Sequence, residues 1–281
     1  MPNLVHAPSV GSDTRVIASA FLRRNVRVDV YLPGPMPEPG SLRLLLFNDG
    51  QDLPEMGFPD LLEELTDRLD PLLCVGIHAG KDRLREYGTS NSSDYAGRGD
   101  RAFLYTHFIV RELLPFLADF YHIPGFRDRA FAGFSLGGLS AFDVVWNHPG
   151  LFSVAGVFSG SFWWRSKAYD KGYREDRDRL MQARIRETGT DLRARRAAGP
   201  DSQRFFFECG TLDETADRNG NGVIDVIDDT LDVMRELRAQ GVPEANLKYL
   251  EIPGGRHDPG TWAAALPEFL TWGWGASGRR R

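Results

Sequence analysis

Residues 129–148 read RAFAGFSLGGLSAFDVVWNH. RAFAGFS (129–135) has the short apolar character of a buried strand, and LGGLSAFDVVWNHP continues as a helix ending near Pro149. Between them Gly133-Phe134-Ser135-Leu136-Gly137-Gly138 fits G-x-S-x-G in the strand-to-helix context that gives this motif its meaning. The turn is so tight that the residues two before and two after the serine nearly touch, so both must be small. It strains the serine backbone, lifts the hydroxyl above the sheet and aims a helix N-terminus at charge developing there. The competing reading is a glycine-rich turn with an incidental serine. The flanking strand and helix favour the nucleophile.

The rest of the chain repeats the alternation. LRLLLFN (42–48) and LLCVGI (72–77) are continuous apolar runs, the pattern of strands covered on both faces. Residues 59–69 carry helical spacing with Pro59 near the start, and 104–122 read as an amphipathic helix bent at Pro115. VAGVFSG (154–160), RFFFECG (204–210) and LKYLEIP (247–253) are further strands, with helices expected near 229–240 and 260–272. Residues 80–100 are polar and read as loop. At the front, VIASAF (16–21) and VRVDVYL (26–32) read as an antiparallel edge hairpin, followed by the breaker PGPMPEPG (33–40). Strands alternating with helices over short links imply an α/β fold with a mostly parallel sheet. Residues 1–281 are read as a single domain without internal repeats. The exception to the rhythm is 161–203, which opens with Phe162-Trp163-Trp164 and continues highly charged. It is read as a solvated helical insertion in preference to a specific binding surface, and on either reading it forms a small cap over one end of the sheet.

The composition is that of a globular chain: 281 residues, 42% hydrophobic and 26% charged, with enough length for a full core. A net charge of −5 argues against nucleic acid as a partner. No apolar run is long enough to span a membrane. Two cysteines, Cys74 and Cys209, lie in apolar runs and read as small core residues. The first residues lack a basic segment followed by an apolar one, so the expected location is cytoplasmic, with an exported mature form equally compatible.

A serine nucleophile needs a base, and the base needs an orienting carboxylate. In this architecture the chain order is serine, acid, histidine. Only His148 and His257 follow Ser135. His148 ends the helix that starts at the nucleophile, and its expected role is capping or packing. His257 lies in PGGRHDPG, between the last strand and the last helix, where a loop can deliver a base. The acid is expected at the carboxyl end of RFFFECG. Asp213 and Glu214 both qualify, Asp213 is the first choice, and the direction of Glu208 depends on strand register. A second oxyanion donor is expected after LRLLLFN, at Asn48-Asp49-Gly50-Gln51, where Gly50 permits close approach and Gln51 offers its amide alongside that of Leu136.

Taken together, these segments resemble the esterase family that includes enterochelin esterases, feruloyl esterases and the antigen 85 mycolyltransferases. The resemblance runs from about Asn25 to Trp272 and rests on LLLFNDGQ, ELLPFL, AGFSLGGLSA, NHPGLFSVAGVFSG, ECGTLDE and PGGRHDPGTW. It implies a three-layer α/β-hydrolase sandwich and serine ester hydrolysis. It also implies Ser135 as nucleophile, Asp213 as acid, His257 as base, and the amides of Leu136 and Gln51 as oxyanion hole. It implies no substrate, because members cleave siderophores, aromatic esters, thioesters and acylated sugars. The departures are the charged 161–203 insertion and a second insertion between acid and base.

That second insertion, 217–228, reads DRNGNGVIDVID. Asp217, Asn219, Asn221, Gly222, Asp225 and Asp228 fall at positions one, three, five, six, nine and twelve of a calcium loop, and the Val223 carbonyl at seven supplies a further oxygen. The final position is Asp rather than Glu. The alternative is an Asn-Gly turn followed by a helix cap at Asp228. A bound calcium ion would be structural, because serine chemistry needs no metal. Arg85 and Arg98, in the loop after LLCVGI, are candidates for an anionic substrate group, and Trp163 and Trp164 for an apolar wall; surface exposure and core packing are the respective alternatives.

The reading is therefore a soluble serine carboxylic-ester hydrolase acting on a small-molecule ester through an acyl-enzyme, with no catalytic cofactor and an open oligomeric state. The alternatives are an acyltransferase of the same fold, or a catalytically silent calcium-dependent binding protein.

Overall fold

Eight strands form one sheet in the computed structural model, which describes residues 10–34, 37–38, 40–196 and 203–276. The elements run β1 (Val10–Ser19), β2 (Arg24–Pro33), β3 (Arg43–Asn48), α1 (Phe58–Leu65), β4 (Leu72–Ile77), α2 (Arg83–Glu86), α3 (Ala102–Phe108) and α4 (Leu114–Phe120). Then come β5 (Arg129–Phe134), α5 (Leu136–Asn147), β6 (Val154–Phe158), α6 (Glu175–Asp178), α7 (Leu180–Arg196), β7 (Arg204–Gly210), α8 (Asp225–Ala239), β8 (Leu247–Ile252) and α9 (Pro259–Trp274). The strand order is β1-β2-β4-β3-β5-β6-β7-β8. β2 is antiparallel to both β1 and β4, and every other pairing is parallel.

Alternation along the strands divides the core in two. Leu44, Leu46, Val75, Phe131, Val157, Phe205 and Phe207 face a layer that includes α3, α5 and α8. Leu45, Phe47, Ala132, Phe134, Phe158 and Phe206 face α1 and α9. The result is the expected three-layer α/β sandwich. Cys74 and Cys209 are buried and free. No helix among the described residues is long and apolar enough to cross a membrane.

Several boundaries differ from the sequence expectation. β1 begins at Val10, six residues before VIASAF, because the polar segment Val10–Arg15 pairs in register with β2. The helix expected over 104–122 is α3 and α4 joined by a π-helical turn, Ile109–Leu113. Pro115, near the start of α4, has no N–H to give the ladder, and the chain widens its turn just upstream. The 80–100 loop contains the one-turn helix α2.

The insertion expected to cap the sheet divides. Residues 161–179 run along its carboxyl end, where the Tyr95 N–H donates to the Arg165 carbonyl at 2.9 Å. Helix α7 instead joins the layer containing α5 and α8. Met181 and Ile185 are buried in the first core, and Trp146 Nε1 donates to Thr188 Oγ1. Residues 197–202 of that insertion lie outside the described residues.

β3 and β5 are neighbours, but the chain leaves them in opposite directions. β3 leads through α1, on one face, to β4, and β5 leads through α5, on the other, to β6. Such a switch point opens a crevice at the carboxyl ends of the two strands. Asn48–Gln51 and Ser135 flank it.

Candidate active site

Ser135 has φ 55° and ψ −123°, a conformation that a side-chain-bearing residue rarely adopts. Strain of this kind costs about 1–3 kcal/mol and persists only where the surroundings impose it. They do so here. A Cβ on Gly133 would lie 2.4 Å from the Gly137 carbonyl oxygen, and one on Gly137 would lie 2.6 Å from Asp49 Oδ2. The Ser135 N–H donates to the Phe158 carbonyl at 2.8 Å, and its carbonyl accepts from the Ser161 N–H at 3.2 Å. The strained turn is thus tied to the end of β6 on both sides, and Ser135 is left partly exposed.

The loops carrying Asp213 and His257 are laced together. A Cβ on Gly210 would lie 2.4 Å from the Gly255 carbonyl carbon, so the end of β7 lies directly against the histidine loop. Leu212 N–H donates to the Gly255 carbonyl, and Gly254 N–H to Thr211 Oγ1. His257 Nδ1 then sits 2.5 Å from Asp213 Oδ1, with the Asp213 carboxylate almost fully buried and the imidazole partly exposed. Asp258 next to it caps α9, accepting from the Thr261 N–H, with Pro259 as the first helical residue.

Glu214, the other acid candidate, faces elsewhere. Its Oε1 accepts the Val226 N–H at 2.6 Å, capping the start of α8, and burial pushes its carboxyl up. Glu208 points to the α9 side of β7 and is fully buried, with neither carboxyl oxygen given a partner among the described residues. Burial, with Asp213 nearby, pushes it up to about 8. His148 is the cap expected of it, with Nδ1 on the Val144 carbonyl.

Trp262 connects His257 to the Ser135 turn, and the sequence reading does not single it out. Its ring stacks on Phe134, the residue before Ser135, at 5.2 Å, and meets the His257 ring edge-on at 5.2 Å. Its Nε1 donates to Ser159 Oγ at 2.9 Å. The signal in the sequence was an aromatic residue one helical turn into α9, in HDPGTW.

On the other side of the crevice, Gly50–Asp52 form a 3-10 turn closed by Asp52 N–H to the Asp49 carbonyl and Leu53 N–H to the Gly50 carbonyl. These bonds leave the Gln51 N–H outside the turn's own ladder. A Cβ on Gly50 would fall 2.2 Å from the Gly76 carbonyl carbon, so only glycine lets the turn cross the end of β4. Leu136 is the first residue of α5, and its N–H likewise has no intrahelical acceptor.

The expected substrate contacts separate. Arg85 pairs with Asp100 on the surface. Arg98 is bound to the buried Asp94 carboxylate and lies 4.7 Å over the Trp163 ring. Trp164 is core rather than wall: it is fully buried, and Gly88 and Gly99 have no room for a Cβ because its ring lies against them.

In the 217–228 loop, Asp217 accepts the N–H groups of Gly220, Asn221 and Gly222, and these, Gly222 foremost, hold its carboxyl below the usual range. Asn219 Nδ2 and Asn221 Nδ2 both donate to Asp228 Oδ2, at 2.9 and 2.8 Å. Asp225 departs from the expected ligand set. It is the first residue of α8, and its carboxylate takes both the N–H and the guanidinium of Arg218. Val223 donates its N–H to Asn221 Oδ1. No group of three His, Cys, Asp or Glu side chains suited to a metal occurs among the described residues.

Comparison with known proteins adds to this geometry. The family model described as Putative esterase matches residues 19–272. An uncharacterized protein of Bacillus subtilis (strain 168), YbbA, is 28% identical over 152 residues, covering 51% of this chain and 60% of that protein. Among solved structures, a ferulic acid esterase aligns with TM-score 0.65 and 20% identity, over 94% of this chain and 97% of that one. The siderophore hydrolase EstB of Aspergillus nidulans aligns with TM-score 0.71 and 17% identity, over 97% and 96%. The enterobactin esterase FES of Shigella flexneri gives 0.67 and 20%, over 94% of this chain and 58% of that longer one. At these identities the structural likeness shows the shared fold.

Proposed function

This chain belongs to the Putative esterase family, and from that premise we propose that it is a carboxylic-ester hydrolase acting on a small-molecule ester through Ser135, His257 and Asp213. The observation that carries the reading is Ser135 itself. It is held at positive φ on a strand-to-helix turn whose flanking glycines have no room for a side chain.

In the proposed cycle His257 Nε2 takes the Ser135 proton as Oγ attacks the ester carbonyl. Asp213, already on Nδ1, fixes the tautomer and stabilises the imidazolium. The carbonyl π electrons move onto oxygen, and the N–H groups of Leu136 and Gln51 stabilise that charge. Collapse expels the alcohol, which takes the proton back from His257, and leaves an acyl-enzyme. Water then attacks, activated by the same imidazole, and releases the acid. An alcohol in place of water would make the protein an acyltransferase.

A fluorophosphonate, with a panel of esters in the presence and absence of added alcohol, tests this. Labelling at Ser135 and release of free acid are expected. Product appearing mainly as the transferred ester would make it a transferase, and an unlabelled protein without turnover would return it to the binding proteins.

The 217–228 loop adds a structural cation to the proposal. What supports it is convergence: the Asn219 and Asn221 amides meet at Asp228, beside the Asp217 turn. A half-turn of each amide presents oxygen where nitrogen now points. Asp217, Asn219, Asn221, Asp228 and the Val223 carbonyl would hold calcium, and the ion would stiffen the loop that begins four residues after Asp213. Asp225, engaged by Arg218, is left out of this set.

A further inference from the structure

We infer that the Arg83–Asp49 ion pair is the clamp that aligns the second oxyanion donor with the first, making Arg83 a positioning residue for ester cleavage. The inference rests on the serine-hydrolase reading above.

Asp49 lies between β3 and the 3-10 turn that carries Gln51. It has φ 56° and ψ 42°, left-handed values for a residue with a side chain. Arg83 grips its carboxylate at both oxygens, Nε to Oδ1 and Nη2 to Oδ2, each at 2.7 Å. A two-point contact fixes the plane of the carboxylate as well as its position. The Asp49 side chain is 3% exposed and that of Arg83 31%, so the carboxylate end of the pair is set into the protein.

The clamped carboxylate also touches the nucleophile helix. Asp49 Oδ2 is the atom closest to where a Gly137 Cβ would lie. Beside it Asn48 Nδ2 donates to the Gly137 carbonyl at 2.7 Å, and Asn48 Oδ1 accepts from Tyr105 Oη at 2.6 Å. The Asp49 N–H donates to Tyr87 Oη. Both phenols are fully buried. The turn bearing Gln51 is therefore tied to the first turn of α5, which begins with Leu136.

The other end of the clamp is anchored as well. Arg83 opens α2, and Glu86, in the same turn, is fully buried and takes Arg24 of β2 through Nε and Nη2. One single-turn helix thus holds β2 through Glu86 and the crevice through Arg83.

Geometry shows why this bears on rate. A rotation of roughly 15° at Asp49 displaces the backbone one residue further on by about 1 Å. Misplacement of that size can cost about a hundred-fold in rate. Without its two-point partner the left-handed aspartate loses the contact that fixes its side chain against such a rotation, leaving only its backbone ties. A purely stabilising ion pair would leave the rate of folded protein unaltered.

The experiment compares wild type, Arg83→Lys, Arg83→Gln and the Asp49→Asn/Arg83→Gln double variant on p-nitrophenyl acetate, with melting curves and fluorophosphonate labelling rates. Lysine keeps the charge but offers no fork. The double variant leaves no buried unpaired carboxylate, and it carries the test if Arg83→Gln fails to fold. In folded variants kcat is expected to fall about 10- to 100-fold with KM within about three-fold. Labelling should slow in parallel, because phosphonylation uses the same oxyanion donors. The double variant should recover melting temperature relative to Arg83→Gln without recovering kcat. Folded variants with kcat within about two-fold of wild type would overturn the inference, as would a raised KM at unchanged kcat, which would mean that Arg83 binds substrate. Failure of the underlying reading looks different: the wild type itself would go unlabelled at Ser135.

Discussion

His257 Nδ1 lies 2.5 Å from Asp213 Oδ1, across two loops that follow adjacent parallel strands, and Trp262 joins that histidine to the residue before Ser135. The Asp213 carboxylate is buried, while the imidazole is partly exposed. Such a pair holds a histidine in one tautomer, with its second nitrogen free for a substrate or nucleophile.

Asp213→Asn is expected to lower ester turnover by about ten-thousand-fold, because an amide at that position favours the wrong tautomer. Glu214→Gln is expected to act mainly on stability, through the start of α8, where Glu214 accepts the Val226 N–H. Steady-state kinetics of both variants, alongside their melting curves, check the ranking. The reverse ranking would move the acid to Glu214.

Stability is expected to fall as pH rises, through Glu208. Its ordinary value of 4.5 is raised to about 8 in the fold, so the folded state holds a proton that the unfolded chain has lost between those values. Stability from this group is fully present below pH 4.5, and it is lost as pH rises through 8. At about 1.4 kcal/mol per pH unit, the loss between pH 4.5 and 7 is on the order of 3 kcal/mol. Glu208→Gln should remove that slope. Urea unfolding of both proteins from pH 5 to 8.5 reads it directly, and parallel curves would show that Glu208 is not the titrating group.

Calcium should raise the melting temperature and chelator should lower it, through the 217–228 loop. At a hundred times its dissociation constant, a ligand of the folded state adds about 2.7 kcal/mol. Activity should change less than stability, because the ion has no part in the reaction. Asp217→Ala should erase the response. Identical melting curves with calcium and with chelator would leave the loop as an Asn-Gly turn closed by its own amides.

The parts legible in the sequence were those with local signatures. Apolar runs such as LLCVGI mark buried strands wherever they occur, and the Gly133–Gly137 spacing announces its turn because steric fit demands both glycines. What was not legible depends on partners distant in the chain. The polar first half of β1 becomes a strand only through register with β2. Arg83 and Asp49 are 34 residues apart, and nothing local distinguishes Arg83 from Arg85, which pairs with Asp100 on the surface. Asp213 and Glu214 are adjacent carboxylates in one turn, separated only by which loop each meets. Asp225 matched a calcium spacing, yet it begins a helix and binds the neighbouring Arg218.

Fluorophosphonate labelling of wild type and Ser135→Ala, with ester turnover on the same preparations, tests the central claim most directly. Wild type is expected to be labelled on the peptide carrying Ser135 and to release acid. Ser135→Ala is expected to fold, resist labelling and lose on the order of a million-fold in rate. Turnover that survives in pure, folded Ser135→Ala, or label found on another residue, would contradict the account.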